Sequence, residues 1–450
     1  MLRLHDTATG EVRELALREP GKLSLYVCGP TVYDVPHIGH ARSVLTYDVL
    51  RRYAQWLGWE VTHAANITDV DDNIINRANR EGRTEPEVAA EYEAVWWDAM
   101  DRLGALRPNH VPHATEYVPR MVELVTELAD RGLAYETSDG VYLDTSKVEG
   151  YGLLAQQSLD DLRAGARVEA NDEKRSPLDF VLWKKAKPDE PSWPSPWGDG
   201  RPGWHTECVV MSLDLLGEGF DVHGGGQDLK FPHHENERAQ AVALGKTFVR
   251  HWVHNGWVVV EGTKMSKSLG NFTTLLDFLD RVDRRAYRLM VLQAHYRGPI
   301  EVTPDVAAAA EASLRRLDEF ARNTAGLAGE PDEERLADFR VAMDDDLDTP
   351  RAMALLFTLV TEGNRAIGEG DEARAGAVAA TVRAIAEAVG LELGGSDDDE
   401  WPPDVADLVA RRDAARSSKD WAAADAARDE LVALGWLVED TPAGTRVRRS

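Results

Sequence analysis

Cysteine is scarce in this sequence. Cys28 and Cys208 are the only two among 450 residues, too few and too widely separated for a disulfide framework. No apolar run approaches the roughly 20 residues that a membrane-spanning helix requires, and the opening stretch MLRLHDTATGEVREL has no signal-peptide core. The expectation is a soluble, cytoplasmic protein with no membrane partner. Positive charge is also in deficit: 51 Lys and Arg stand against 78 Asp and Glu, for a net charge of -27. Such a surface repels phosphate at long range and excludes nonspecific nucleic-acid binding over the whole molecule, while leaving local basic patches open. The acidic runs DDDLD at Asp344 to Asp348 and DDDE at Asp397 to Glu400 read as solvated surface or linker. Internal repeats and low-complexity tracts are absent, and the turn from Cys28 to Ser43 lacks both the GxGxxG and the GxxxxGK(S/T) patterns of the common nucleotide folds.

What is present is ample apolar content, 43% of residues, enough for a large core and a prior of about three domains. From Leu23 to about Leu106, strand-like and helix-like segments alternate: LSLYVC, a helix ending near Gly58, EVTHAANI, and a polar helix over Asp72 to Arg80. That alternation predicts βαβ units and a parallel sheet, hence an α/β fold. Between Pro108 and Gly200 the pattern changes to a helix, a hairpin (AYETSDGVYLD) and a loop rich in proline and tryptophan, which reads as an insertion. Strand signals resume at GFDVHGG and at WVHNGWVVV, with a helix in HHENERAQAVAL between them. Beyond Thr303 the chain turns helical, with Thr303 and Thr349 read as N-caps before Pro304 and Pro350.

Two stretches carry the chemistry. In CGPTVYDVPHIGHARS, a strand end leads through a turn into a helix, whose free N–H groups make a ready phosphate site. Pro36 is placed to open that helix. Gly39 lets a base or phosphate approach the backbone, and His37 and His40, three apart, project to one side. The spacing alone leaves open whether these histidines bind phosphate or merely decorate a helix end. The second stretch, GTKMSKSLGN, sets Lys264 and Lys267 in a glycine-bracketed loop able to neutralise charge on a leaving pyrophosphate.

Together PHIGH and KMSKS are the two signatures of class I aminoacyl-tRNA synthetases. The stretches YVCGPTVYD, NITDVDDNII, PLDFVLWK, PSWPSPWGDGRPGWHTEC, FDVHGGGQDLKFPHHENE and KDWAAADAARDEL narrow the match. Over nearly its whole length the sequence resembles the cysteinyl-tRNA synthetases. The resemblance implies a Rossmann-like parallel-sheet catalytic domain with an inserted connective subdomain, followed by a mainly α-helical C-terminal region. The implied boundaries are 1–107 and 201–260 for the two catalytic halves and 108–200 for the insertion. The KMSKS loop and stem-contact region takes 261–302, a helical bundle 303–395, and a small anticodon-binding domain 396–450.

The resemblance further implies one Zn2+, held by Cys28, Cys208, His233 and Glu237. Read without it, two thiolates, an imidazole and a carboxylate form a four-ligand shell of zinc type, but two buried free cysteines are the competing reading, and His205 and His234 are alternative ligands. In the family pattern His37, His40, Gly39, Gly225, Lys264 and Lys267 serve ATP, which Mg2+ accompanies. Cys28, Thr68, Trp204 and Asp228 serve the substrate cysteine. Arg411, Arg412, Arg416, Arg446, Arg448 and Arg449, with Trp421 and Trp436 as stacking surfaces, serve the anticodon of cysteine tRNA, whose acceptor end receives the amino acid. The implied activity is ATP-dependent activation of L-cysteine and its transfer to the 3' end of that tRNA, by a monomer. Competing readings are a cysteine ligase of mycothiol synthesis acting on an amino sugar, an inactive RNA-binding paralogue, and a nucleotidyltransferase without tRNA.

Overall fold

The computed structural model describes residues 1–156, 173–260, 263–264, 273–394, 402–441 and 444–449. An N-terminal hairpin, β1 (Arg3–Asp6) and β2 (Glu11–Glu14), precedes β3 (Lys22–Val27), whose last five residues are all buried. Burial on both faces is the mark of a central parallel strand. Then come α1 (Ile38–Trp56), β4 (Glu60–Ala65), α2 (Asp72–Glu81) and α3 (Glu85–Leu103). Both helices after β4 are bounded by sequence devices. Asp71 caps α2 by accepting from the Asn73 N–H, Thr84 and Glu87 form a capping box on α3, and Gly82 and Gly104 end them in the left-handed conformation.

The chain next builds α4 (Val118–Asp130) and an antiparallel sheet of β5 (Ala134–Glu136), β6 (Gly140–Leu143), β7 (Phe180–Lys185) and β8 (Gly200–Pro202). The core of this insertion, in which Val125, Leu128, Val141, Leu143, Leu182 and Trp183 are buried, is completed by Ala239 and Leu244 from the returning chain. The chain returns to the main sheet through α5 (Trp204–Leu216), β9 (Phe220–Gly226), α6 (Glu235–Ala243) and β10 (Val249–Asn255).

The main sheet is parallel throughout, in the order β10-β9-β3-β4. From β3 the chain moves outward to β4 on one side, and from β9 to β10 on the other. Between β3 and β9 the strand order therefore reverses, and the crevice beyond their carboxyl ends is where open α/β sheets bind ligands. The four strands point Cys28, Asn66, Gly226 and Gly256 toward it.

After β11 (Val258–Val260) and β12 (Thr263–Lys264) come α7 (Leu275–Leu279), α8 (Arg284–Gln293) and β13 (Ile300–Glu301). The helices α9 (Pro304–Asn323), α10 (Glu333–Asp344), α11 (Thr349–Glu369) and α12 (Glu372–Ala388) follow. A second compact unit takes residues 317–325 and 392–450 and holds α13 (Pro403–Ser417), α14 (Trp421–Ala433) and the hairpin β14 (Trp436–Thr441) and β15 (Gly444–Arg449). Its core is small: Val405, Leu408, Val409, Leu431 and Val447.

Several local expectations are revised. Pro36 does not open α1: the helix begins at Ile38 with His37 as its cap, and the Pro36 carbonyl instead accepts from the Leu275 N–H at 2.8 Å. Thr349 is not an N-cap but the first residue of α11, capped by Asp348, which accepts from the Arg351 N–H. The run WVHNGWVVV is split by Gly256 into β10 and β11. The DDDLD run is no solvated stretch either. Asp344 accepts from Tyr53 Oη and the N-terminal amine, and Asp346 is 4% exposed with four donors around it. Arg412 is likewise buried, donating to Thr445 Oγ1 at 2.6 Å, so it supplies no surface charge. Trp421 is 62% exposed, whereas Trp436 packs against the small core. The DDDE run and the side chains of Arg446, Arg448 and Arg449 lie outside the described residues.

Candidate active site

The histidine pair is a local construction. His37 caps α1, its Nδ1 accepting from the His40 N–H at 3.2 Å, and His40 Nδ1 accepts from the His37 N–H at 3.2 Å. The two rings stack with centroids 3.7 Å apart at 15°. An Nδ1 that accepts carries no proton, so this reciprocal box fixes the tautomer with hydrogen on Nε2 in both rings. Each imidazole thus presents a donor at the mouth of a helix whose N-terminal field already favours anions. Trp96 on α3 buttresses His40 edge-on at 5.7 Å.

The sulfur cluster is a tertiary construction. Cys28 ends β3, Cys208 lies in α5, His233 precedes α6 and Glu237 is in its first turn. The distances are 3.6 Å from Cys28 Sγ to Cys208 Sγ, 3.3 Å from Cys28 Sγ to Glu237 Oε1, 3.7 Å from Cys208 Sγ to His233 Nε2 and 2.9 Å from His233 Nε2 to Glu237 Oε1. A tetrahedral zinc with ligand bonds of roughly 2.0–2.3 Å holds its donors about 3.3–3.8 Å apart, so the donor set and the three distances that involve sulfur fit that ion, while His233 and Glu237 stand closer, at ion-pair distance. The sulfurs are too distant for a disulfide. Cys208, Glu237 and His233 are each at most 1% exposed.

The cluster concentrates negative charge that a cation would neutralise. Burial lowers the His233 pKa, but Glu237 and Cys208 more than offset this and raise it to about 10. Burial first of all raises the Cys28 thiol well above its ordinary value, while the hydrogen bond from Cys28 pulls Cys208 down.

The two sequence alternatives for the imidazole ligand separate by position. His205 meets the other face of the site, its Nδ1 2.9 Å from His233 Nδ1, which makes it an outer partner. His234 belongs to a second, overlapping donor set with Cys28, His223 and Glu237. His223 was not singled out in the sequence. It is fully buried on β9, with Nε2 2.7 Å from Glu237 Oε2.

Asn66 also escaped notice, although it organises the crevice. Its Oδ1 accepts from the Gly29 N–H (2.9 Å) and Tyr26 Oη (3.2 Å) and lies 3.6 Å from Cys208 Sγ, while its Nδ2 donates to Thr68 Oγ1 at 3.0 Å. Gly29 has to be glycine here, because a Cβ would come 1.6 Å from the Asn66 carbonyl oxygen. Thr68 Oγ1 in turn donates to buried Glu207 Oε2 at 2.9 Å. An Asn in an otherwise ordinary NITD stretch gives no sequence signal for such a role; only the fold brings these groups together.

A cavity of about 580 Å³ joins the two constructions, with Cys28, His37, Gly39, His40, Trp204 and Asp228 on its walls. Trp204 stacks on the His233 ring at 4.0 Å. Gly225 is not on the wall. It is buried in β9, donates its N–H to Tyr47 Oη (2.6 Å), and leaves room for His234 and Leu229, each 2.8 Å from where a Cβ would stand. The neighbouring Gly226 is the lining glycine. Lys264 is described only as backbone, paired with Val259, and Lys267 lies outside the described residues.

Comparison with known proteins settles the family. The model of the class I (C) tRNA synthetase catalytic domain matches residues 14–312, the DALR domain 338–394, and the cysteinyl-tRNA ligase anticodon binding domain 398–448. The cysteine–tRNA ligase of Halorhodospira halophila is 45% identical over 459 residues, covering 100% of both chains. The chain belongs to the cysteine–tRNA ligase family.

That of Carboxydothermus hydrogenoformans is 43% identical over 469 residues, again with 100% of both chains covered. Among solved structures, Mycobacterium tuberculosis methionyl-tRNA synthetase in complex with methionyl-adenylate aligns with a TM-score of 0.61 at 14% identity, over 82% of this chain and 90% of that one. Agrobacterium radiobacter leucyl-tRNA synthetase gives 0.60 at 14%, over 83% and 84%. At such identity these two speak for the fold, the α/β class I architecture expected from sequence. As a cysteine–tRNA ligase this chain is an aminoacyl-tRNA synthetase, and the amino-sugar ligase and inactive-paralogue readings are set aside. No described helix is long and apolar enough to cross a membrane.

Proposed function

We propose that the crevice between β3 and β9 joins L-cysteine to ATP as cysteinyl-adenylate and then passes the cysteinyl group to the 3' end of cysteine tRNA, in the cytoplasm and as a monomer. The observation that carries this reading is the convergence of Cys28, Cys208, His233 and Glu237 on one point beside the cavity, which Cys28 lines together with His37 and His40.

Cys28, Cys208, His233 and Glu237 would hold Zn2+, which when bound supplies a soft centre that prefers a thiolate to a hydroxyl. That preference matters because cysteine and serine differ by one atom, and shape alone separates near-isosteres only modestly. Trp204 walls the side-chain pocket, and Asp228 offers a carboxylate to the substrate ammonium.

The cysteine carboxylate attacks the α-phosphate, an O–P bond forms, and the bond to the leaving pyrophosphate breaks. The protein's part is positioning and charge stabilisation. His37 and His40 donate from Nε2 to the phosphates, and Gly39 and Gly226 let the nucleotide lie against backbone. Lys264 and Lys267 neutralise the pyrophosphate as it departs, with Mg2+ arriving as the counter-ion of ATP. The ribose hydroxyl of the tRNA end then takes the cysteinyl group and releases AMP. Residues 396–450 read the anticodon, with Trp421 as an exposed stacking surface.

The test is one assay with two acceptors. Protein, ATP, Mg2+ and labelled cysteine are offered unfractionated tRNA in one tube and a glucosaminyl-inositol acceptor in the other. Label in acid-precipitable RNA alone is expected; label in the sugar alone overturns the tRNA reading, and label in neither overturns catalysis.

A further inference from the structure

Arg42 lies two residues past His40 on α1 and is 1% exposed, yet among the described residues no carboxylate pairs with it. Its guanidinium is spent on backbone. Nη1 donates to the Trp257 carbonyl at 2.6 Å, and Nη2 reaches the carbonyls of Gly298 (2.5 Å), Tyr296 (3.2 Å) and His295 (3.4 Å). Burying a cation against neutral dipoles is costly, and an apolar residue would fill the space more cheaply. What the guanidinium adds is a rigid fork of donors, which fixes one loop, 295–298, at one distance from the histidine pair.

That loop in turn holds the wall of the cavity. The Gly256 N–H donates to the Tyr296 carbonyl at 2.8 Å, and a Cβ on Gly256 would come 2.2 Å from the Gly298 carbonyl oxygen, so the two backbones touch. Gln227 Nε2 donates to the Arg297 carbonyl at 3.1 Å, tying down the turn that carries Asp228. Asn255, Gly256, Trp257, Val258 and Asp228 all line the cavity.

The loop's side chains are gripped from elsewhere. Asp346 accepts from Tyr296 Oη at 2.7 Å and from Arg297 Nε and Nη2 at 2.7 and 2.6 Å, and also from the His5 N–H at 2.7 Å. Asp346 and Leu347 adopt φ of 60° and 50°, a conformation that non-glycine residues rarely take, so this grip is over-determined by its surroundings.

We infer that Arg42 and Asp346 are positioning residues of the adenylation site, which clamp the loop 295–298 from its backbone and its side chains and so set the spacing between the histidine pair and the wall formed by Asn255 to Val258 and Asp228. The inference rests on the proposed adenylation reading. It assigns a purpose to the buried aspartate of the DDDLD run and to a buried arginine that touches no substrate. It also explains why position 256 is a glycine.

The test is cysteine-dependent ATP–pyrophosphate exchange by the wild-type chain, Arg42→Lys, Asp346→Asn and the double variant, with active sites counted by adenylate burst and folding followed by thermal unfolding. Arg42→Lys keeps the charge and loses the fork. Its exchange kcat per active site is expected to fall about 10²-fold, as a misplacement of about 1 Å does, while KM for cysteine stays within about twofold. The double variant is expected to lose less than the product of the single losses, since both residues hold one loop. A merely structural role would lower the melting temperature and the number of active sites but leave kcat per site at the wild-type value, and that result overturns the inference. If Arg42→Lys does not fold, Asp346→Asn, which keeps its shape, decides by the same criterion. Absence of exchange in the wild-type chain would instead sink the adenylation reading.

Discussion

The histidine pair and the sulfur cluster border one cavity, the cluster through Cys28, but the chain builds them in opposite ways. His37 and His40 are positioned by each other, through a capping box spanning four residues, and need only a helix start to be correctly aimed. Cys28, Cys208, His233 and Glu237 come from a strand end, the middle of one helix and the entry to another, and need the whole β3–β9 crossover, insertion included, to meet. The first device tolerates change elsewhere in the fold. The second fails whenever any of its supports moves, which is why it is buried to at most 1% at three of its four positions.

Substitutions that separate the two should differ in kind. The largest effect is expected from Cys208→Ser, which removes one donor of the closed set: bound zinc is lost on elemental analysis. The kcat/KM for cysteine falls with it, and the preference for cysteine over serine drops to roughly 10–200-fold or less, because selection then rests on shape alone. A variant that keeps both metal and activity would break the cluster's assigned role.

Next comes His40→Ala, which deletes one phosphate donor and half of the capping box. Exchange kcat is expected to drop about 10²-fold with metal content and KM for cysteine unchanged. If KM for cysteine rises as much as kcat falls, the two constructions are not independent.

Smaller again is Asn66→Ala, which withdraws the acceptor shared by Gly29, Tyr26 and the Cys208 sulfur. Zinc affinity should weaken about 10- to 100-fold, the usual loss for a group that orients ligands, read by competition with a chelator. Unaltered affinity would reduce Asn66 to a loop fastener.

The least effect on activity, but a clear one on stability, is expected at Asp48, which joins α1 to α8. Burial raises its pKa, yet Arg288 at 2.6 Å, Arg52 at 2.8 Å and the Leu106 N–H outweigh that, and the net result is a lowered value. A carboxyl lowered in the folded state stabilises fully above its unfolded value of about 4, and the contribution disappears as pH falls through the lower folded value. Denaturant unfolding should therefore show wild-type stability declining below about pH 4. Asp48→Asn should be about 3 kcal/mol less stable at neutral pH and flatter in the acid range. Parallel acid profiles would show that Asp48 is not the group responsible.

The same division governs what the sequence made legible. The βαβ alternation, the insertion and the helical end could be read because periodicity and turn chemistry are local properties. The histidine pair was readable for the same reason. The four ligands became readable only through resemblance, because no close pair of cysteines advertises them and the crossover that brings them together spans most of the catalytic domain.

Asn66, His223 and Arg42 gave no signal at all. Their partners are a thiol, a carboxylate and backbone carbonyls contributed by distant segments, and residue type does not encode these. The misreading of DDDLD has the same origin. One aspartate in the run faces Tyr296 and Arg297, another faces Tyr53, and Asp345 is left to pair with Arg3 at the surface. Four acidic letters within five residues look alike until the fold separates them.

The most direct measurement replaces the metal with Co2+ and follows the sulfur-to-metal absorption band as substrate is added. Two protein thiolates should give a band that grows by about half when L-cysteine supplies a third sulfur, and that stays constant with L-serine. A band that does not respond to cysteine, in protein that still catalyses cysteine-dependent exchange, would contradict selection of the substrate through its sulfur at Cys28, Cys208, His233 and Glu237.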